Sequence, residues 1–233
     1  MMQIPLSIRH AHMPSFDNFM LGDNALMMAQ LHHIRPANPP PQPLYLWGPS
    51  GAGKTHLLQA LHSLWEQNQP GAVCHLLPDQ LDPETVPDWM DNPAWQLLLL
   101  DACEGYGERE QQAAFALFIE ASSRGASIVA AGRLPPIDLP LRDDLRTRFA
   151  WGLVLPVLPL KDSHAGMALH AEAERRGLTL SEDVVSYLLT HFPRNLKQLM
   201  TLLDRLDDFA LIHKRALTVP LLKQMLLESP LEP

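Results

Sequence analysis

The stretch Gly48-Pro49-Ser50-Gly51-Ala52-Gly53-Lys54-Thr55 restricts the fold of this chain more than any other. Before it, Leu44-Tyr45-Leu46-Trp47 reads as a short apolar strand. After it, His56, Leu57, Leu58, Ala60, Leu61, Leu64 and Trp65 make an apolar stripe at helical spacing. A strand, a glycine-rich turn ending in Lys-Thr and a helix form the context that a phosphate loop requires. Gly48, Gly51 and Gly53 tolerate positive φ, so successive N–H groups can converge on one anion. The helix that follows adds its unpaired N-terminal donors and the positive end of its dipole. Lys54 supplies a compact charge for the β- and γ-phosphates, and the Thr55 hydroxyl is a magnesium ligand. These residues imply a site for a nucleoside di- or triphosphate.

Length and composition set the surroundings of that site. A chain of 233 residues, 46% hydrophobic, can bury one α/β core and a small satellite. Its formal net charge of −8 argues against a broad DNA-binding face. Cys74 and Cys103 are the only cysteines, and both sit in apolar sequence without metal-ligand spacing. They read as reduced thiols of a cytoplasmic protein. No signal-peptide pattern begins the chain, and no apolar run reaches membrane-spanning length.

Along the chain, Gln3 opens a hexapeptide with aliphatic side chains at Ile4, Leu6 and Ile8. In extended backbone these three share one face, suited to a groove, or to an edge strand or an uncommitted tail. Phe16-Asp17-Asn18-Phe19 precedes a helix expected over Ala25–His33, and the two phenylalanines suit either a nucleobase or a core cap. Pro36 to Pro43 is a stiff connector. Strands are expected at Ala72–Leu77, Trp95–Asp101, Ser127–Gly132 and Trp151–Leu160, with a helix over Glu108–Ser123. The apolar run Leu97–Leu100 fits a strand buried on both faces, and Asp101 at its end is placed to hold magnesium. Arg142–Phe149 reads as a charged helical segment whose charges would ordinarily face solvent. Strands alternating with helices imply a parallel sheet. From Lys161 onward only helices are expected, capped at Asp162 or Ser163, Ser181, Asn195 and Thr218. The domains are therefore a tail (1–15), an α/β nucleotide-binding base (16–160) and a helical lid (161–233).

Phe16-Asp17-Asn18-Phe19, Gly48–Leu58, Arg148-Phe149-Ala150-Trp151-Gly152 and Leu196-Lys197-Gln198-Leu199 together resemble the AAA+ domain of the bacterial replication initiator DnaA. Within that group the chain is similar to the DnaA-homologous regulatory inactivator family. It has no sequence for the initiator's helix-turn-helix domain after the lid, and it begins with a Gln-aliphatic hexapeptide.

The resemblance implies an AAA+ base with a five-stranded parallel sheet and a small all-helical lid. It also implies that ADP or ATP with Mg2+ is held by the phosphate loop, His56, Phe16, Phe19 and Lys197, with Thr55 and Asp101 on the metal. Gln3, Ile4, Leu6 and Ile8 would dock on the DNA polymerase III sliding clamp, and Arg148 would be an arginine finger reaching ATP bound to DnaA. Strong direct DNA binding and membrane association are not expected, and a homo-oligomer is left open.

Departures from a working hydrolase support action on a neighbour. Asp101 is followed by Ala102 rather than an acid, and the next acid is Glu104. The sensor strand offers Ala130-Ala131-Gly132, with Arg133 its first polar residue, and a lysine stands at 197 where the initiator has arginine. The alternatives are a self-sufficient AAA+ ATPase that remodels or loads a replication protein, and a phosphate-loop kinase.

Overall fold

Four buried leucines, Leu97–Leu100, form the strand from which the fold is best understood. In the computed structural model all four are fully buried. Leu98 and Leu100 join the cluster on one side of the sheet, and Leu97 and Leu99 the cluster on the other. At about 1.5–3 kcal/mol for each fully buried leucine, this strand alone is a large apolar contribution. An ionised residue at Leu99 would break it.

The structure describes residues 14–36, 42–84, 86–92, 94–192 and 196–229, without the side chains of Asp162 and Lys197. The strands are β1 (Leu44–Trp47), β2 (Val73–Leu76), β3 (Leu97–Leu100), β4 (Ser127–Gly132) and β5 (Leu153–Pro156). They form one five-stranded sheet in the order β2-β3-β4-β1-β5, with every pairing parallel. Helices α1 (Ala25–His32) and α2 (Lys54–Asn68) belong to one side of it. The short α3 (Val86–Asp91), α4 (Glu108–Arg124) and α5 (Asp143–Phe149) belong to the other. Gly125 ends α4 with φ +71°, the left-handed closure that glycine permits.

The sequence-based strand limits need trimming. Trp95 and Gln96 stand outside β3, and β5 keeps four of the ten residues expected over Trp151–Leu160. After Pro156 the chain turns to serve α1. Asn24, 3% exposed at the start of that helix, makes no side-chain cap. Its amide instead donates to the Leu158 carbonyl at 2.9 Å and accepts the Leu158 N–H at 2.7 Å. Two bonds to one backbone position outweigh a single cap.

The lid is α6 (Asp162–Arg175), α7 (Glu182–His191), α8 (Leu196–His213) and α9 (Val219–Glu228). Leu199, Leu203, Leu206 and Ala210 carry the stripe of α8 into a core shared with Leu169, Val184, Leu188, Leu221 and Leu222. Lys161, rather than Asp162 or Ser163, is the N-cap of α6, and Ser181 caps α7 by position without a side-chain bond. Thr218 caps α9 as expected, its hydroxyl accepting the Leu221 N–H. The Asn195 expectation lies outside the described residues. No helix among the described residues is long and apolar enough to cross a membrane.

Candidate functional site

The C-terminal ends of β1, β3 and β4 lie side by side, and each carries a residue of interest. β1 runs directly into Gly48, whose N–H donates to the Gly132 carbonyl at the end of β4 (3.2 Å). Gly51 and Gly53 take φ of +79° and +100°. A Cβ on Gly53 would lie 2.7 Å from Cε2 of Phe19, so both the turn and the packing demand glycine there. Lys54 and Thr55 open α2, where backbone donors are free and the dipole is positive.

Lys54 is 9% exposed, and its Nζ donates to the carbonyls of Gly48 (2.6 Å) and Pro49 (2.9 Å). Burial pulls its pKa below the ordinary lysine value, opposed by the nearby Glu104 and Asp101 carboxylates, while Arg133 pushes the same way as burial. A desolvated ammonium without a bonded carboxylate, beside a helix N-terminus, fits the phosphates of a nucleotide. Asp101 is 2% exposed and accepts the Ala102 N–H at 2.8 Å. With the Thr55 hydroxyl it fits magnesium, which takes one or two protein oxygens and completes its shell with phosphate and water. No cluster of three or more His, Cys, Asp or Glu among the described residues could hold a metal by itself.

Phe16 and Phe19 are half-buried against the α1–α2 side of the sheet. Phe19 lies 5.7 Å from the His56 ring, while Phe16 lies 5.1 Å from His32 on α1. An imidazole nitrogen of His56 bonds the Ser15 carbonyl at 2.9 Å. The segment therefore covers the phosphate loop and the core beneath it. Lys197 is the second residue of α8, its side chain outside the described residues, as are Gln3, Ile4, Leu6 and Ile8.

Arg148 belongs to α5, anchored by Phe149, which is buried between Tyr45 (5.4 Å) and Phe118 (6.2 Å). The Arg148 guanidinium lies over three rings: Trp151 at 4.6 Å, Phe115 at 5.0 Å and Phe118 at 5.8 Å. Arg142 pairs with Asp144 and Arg146 with Asp143. Arg148 has no carboxylate partner among the described residues.

Two arrangements are absent from the sequence-based site. One is this aromatic seat, foreshadowed only by the i, i+3 spacing of Phe115 and Phe118. The other joins Glu104 to Arg133, whose Nε donates to Oε1 at 2.8 Å and whose backbone N–H donates to Oε2 at 3.0 Å.

Residues 11–156 match the family model of the bacterial DnaA ATPase domain, and residues 162–226 match that of the Hda lid domain. Among solved structures, domain III of the Thermotoga maritima replication initiation protein DnaA is similar, with a TM-score of 0.77 at 22% identity, covering 92% of this chain and 95% of that one. AMPPCP-bound DnaA from Aquifex aeolicus superposes with a TM-score of 0.68 at 22% identity, over 82% of this chain and 64% of that one. The RuvB Holliday junction branch migration motor of Thermotoga maritima gives 0.69 at 13% identity, over 94% and 73%. At such identities these structures speak for the fold: a phosphate-loop base of AAA+ type with a helical lid.

Proposed function

This chain belongs to the bacterial DnaA ATPase-domain family, and from that premise we propose that it is a nucleotide-bound regulator that switches off the initiator DnaA. The phosphate loop holds ADP or ATP, and Thr55 and Asp101 hold its Mg2+. Lys197 and His56 lie on the nucleotide, with Phe16 and Phe19 beside it. Gln3, Ile4, Leu6 and Ile8 attach the protein to the DNA polymerase III sliding clamp, and Arg148 is offered to ATP on a neighbouring DnaA.

The observation that carries this reading is the state of Arg148. Its neighbours on the same segment are neutralised by Asp143 and Asp144, while it rests on ring faces with no carboxylate partner among the described residues. Aromatic faces hold a guanidinium by its charge without cancelling that charge. The planar fork stays available for phosphate oxygens on a partner, where it stabilises charge as the γ-phosphoryl leaves. The machinery for hydrolysis within the chain is depleted by comparison. Ala102 has no acid, Ala130 and Ala131 are buried and apolar, and Glu104 is engaged by Arg133.

The test is hydrolysis of DnaA-bound ATP with clamp-loaded DNA present. Arg148→Ala should cut the stimulation by as much as ~10³–10⁵-fold, the range of arginine fingers, while Arg146→Ala stays near the parent. Arg148→Lys should recover little, since a point charge lacks the fork. Near-parental stimulation by Arg148→Ala would return Arg148 to a purely structural role. Steady-state turnover by the isolated protein at roughly 1–10³ s⁻¹, usual for enzymes, would favour a self-sufficient ATPase instead.

A further inference from the structure

At one edge of the sheet, β2 carries a polar side chain among apolar ones. Val73 belongs to the core on the α1–α2 side, and Cys74 and Leu76 belong to the core on the other. Strand alternation therefore turns His75 toward α2. There it meets His62, and the two Nδ1 atoms stand 3.2 Å apart. The rings are tilted by 59° with centroids 5.4 Å apart. Both residues are half-buried.

The two positions are fixed by their surroundings. Leu61, next to His62, is fully buried, and Trp65 donates its indole N–H to the Ile34 carbonyl at 3.2 Å. Glu66, one turn after His62, accepts the Gly71 N–H at 2.9 Å. Gly71, at φ +78°, then leads the chain into β2, where His75 is held in register with Leu99 of β3. A pair set by a helix, a turn and a strand ladder loses little freedom on gripping a ligand.

A shared proton leaves this pair incomplete. Whichever Nδ1 donates to the other, Nε2 of His75 is buried without a partner among the described residues. Burial, and then His62, push the His75 pKa below the ordinary histidine value, against the pull of Asp101. Neutral imidazoles suit a transition ion, whereas Mg2+ and Ca2+ prefer oxygen. With bonds of about 2.0–2.1 Å, tetrahedral Zn2+ sets two nitrogens roughly 3.3 Å apart, and a square-planar ion sets neighbours roughly 2.9 Å apart. The observed 3.2 Å is closer to the zinc spacing.

We propose that His62 and His75 form an exchangeable Zn2+ site that staples β2 to α2. Each contributes its Nδ1, and water completes the tetrahedron. With two protein ligands the site binds more weakly than a closed structural zinc site. Zinc that binds only the folded pairing stabilises it by mass action.

Calorimetric titration of the chelator-stripped full chain with Zn2+ tests this, with melting followed in parallel. The parent should bind Zn2+ saturably, and its melting temperature should rise with the Zn2+ concentration. His62→Gln should weaken that binding by at least about tenfold, since even an outer partner of a metal site is worth ~10–100-fold. The zinc-dependent rise in melting should be lost with it. His62 is half-exposed, so this variant keeps the fold and suffices, and His75→Gln should behave alike. His213→Gln removes a histidine stacked on Phe209 in the lid and should match the parent. Affinity within about twofold of the parent in His62→Gln overturns the proposal. An equal loss in His213→Gln does the same, as does the absence of saturable Zn2+ binding in the parent.

Discussion

Lys54 donates to the carbonyl of Gly48, the first residue of its own loop, at 2.6 Å. The bond closes the loop on itself and keeps a buried ammonium satisfied, although burial pulls its pKa down. Such a cation gains by exchanging neutral carbonyls for phosphate oxygens.

Lys54→Ala should therefore weaken ADP binding by roughly ten- to a hundredfold, the value of hydrogen bonds to a charged group. Isothermal titration with ADP measures it. Equal affinity in variant and parent would show that the loop is not a nucleotide cradle.

Gly53 tests the loop's backbone independently of charge. Gly53→Ala forces a Cβ onto φ +100° and into the Phe19 ring, costing about 1–2 kcal/mol for the left-handed backbone alone. Melting should fall by at least about 2–8 °C, and Phe19→Ala in the same chain should recover the steric part. A variant as stable as the parent would contradict the observed turn.

In the lid, Glu172 accepts from Arg175 at 2.6 and 2.8 Å and from Nε of Arg176 at 2.6 Å. Arg176 reaches on to Asp204 of α8. The hydrogen bonds from Arg175, then the Arg176 pair, hold the Glu172 pKa down from 4.5 to about 2. A depressed carboxyl stabilises the fold fully above its unfolded pKa and loses that contribution as pH falls through its folded one. Urea unfolding should show Glu172→Gln less stable than the parent at neutral pH. The difference should shrink between pH 4.5 and about 2. A difference independent of pH would mean that packing, not charge, is at stake.

Gln3→Ala combined with Leu6→Ala should abolish retention on immobilised sliding clamp. The pair removes one polar anchor and one of three alternate aliphatic side chains. Nucleotide affinity and melting should match the parent. Unchanged retention would make the hexapeptide an ordinary tail.

Much of this protein can be read along the chain. The loop from Gly48 to Thr55, the leucine strand before Asp101 and the helix ended by Gly125 are each specified by neighbours within a few residues. The strand ends were less legible. Trp95 and Val157 are as buried as strand residues, and burial, not hydrogen bonding, is what an apolar pattern reports. One cap also moved: the start of α6 expected at Asp162 or Ser163 falls at Lys161. Asn24 has the right chemistry to cap α1 but is used by a carbonyl 134 residues away, and no local rule anticipates such a competitor.

The sequence by itself determined a phosphate loop between a strand and a helix, a parallel α/β base and a helical lid, because those depend on periodicity and local backbone freedom. Only the tertiary structure decided the strand order, and with it every pairing between distant side chains. Glu104 and Arg133 were visible separately, as the next acid after Asp101 and the first polar residue after β4. They become a pair because β3 and β4 are neighbours in the sheet. Arg142, Arg146 and Arg148 look alike in a charged segment. Arg142 also lies over Phe115; what separates Arg148 is that Phe118 and Trp151 complete its seat and that it has no carboxylate partner among the described residues. Charge is written into the chain, but whether a charge is paired, buried or left open depends on contacts between segments that only folding brings together.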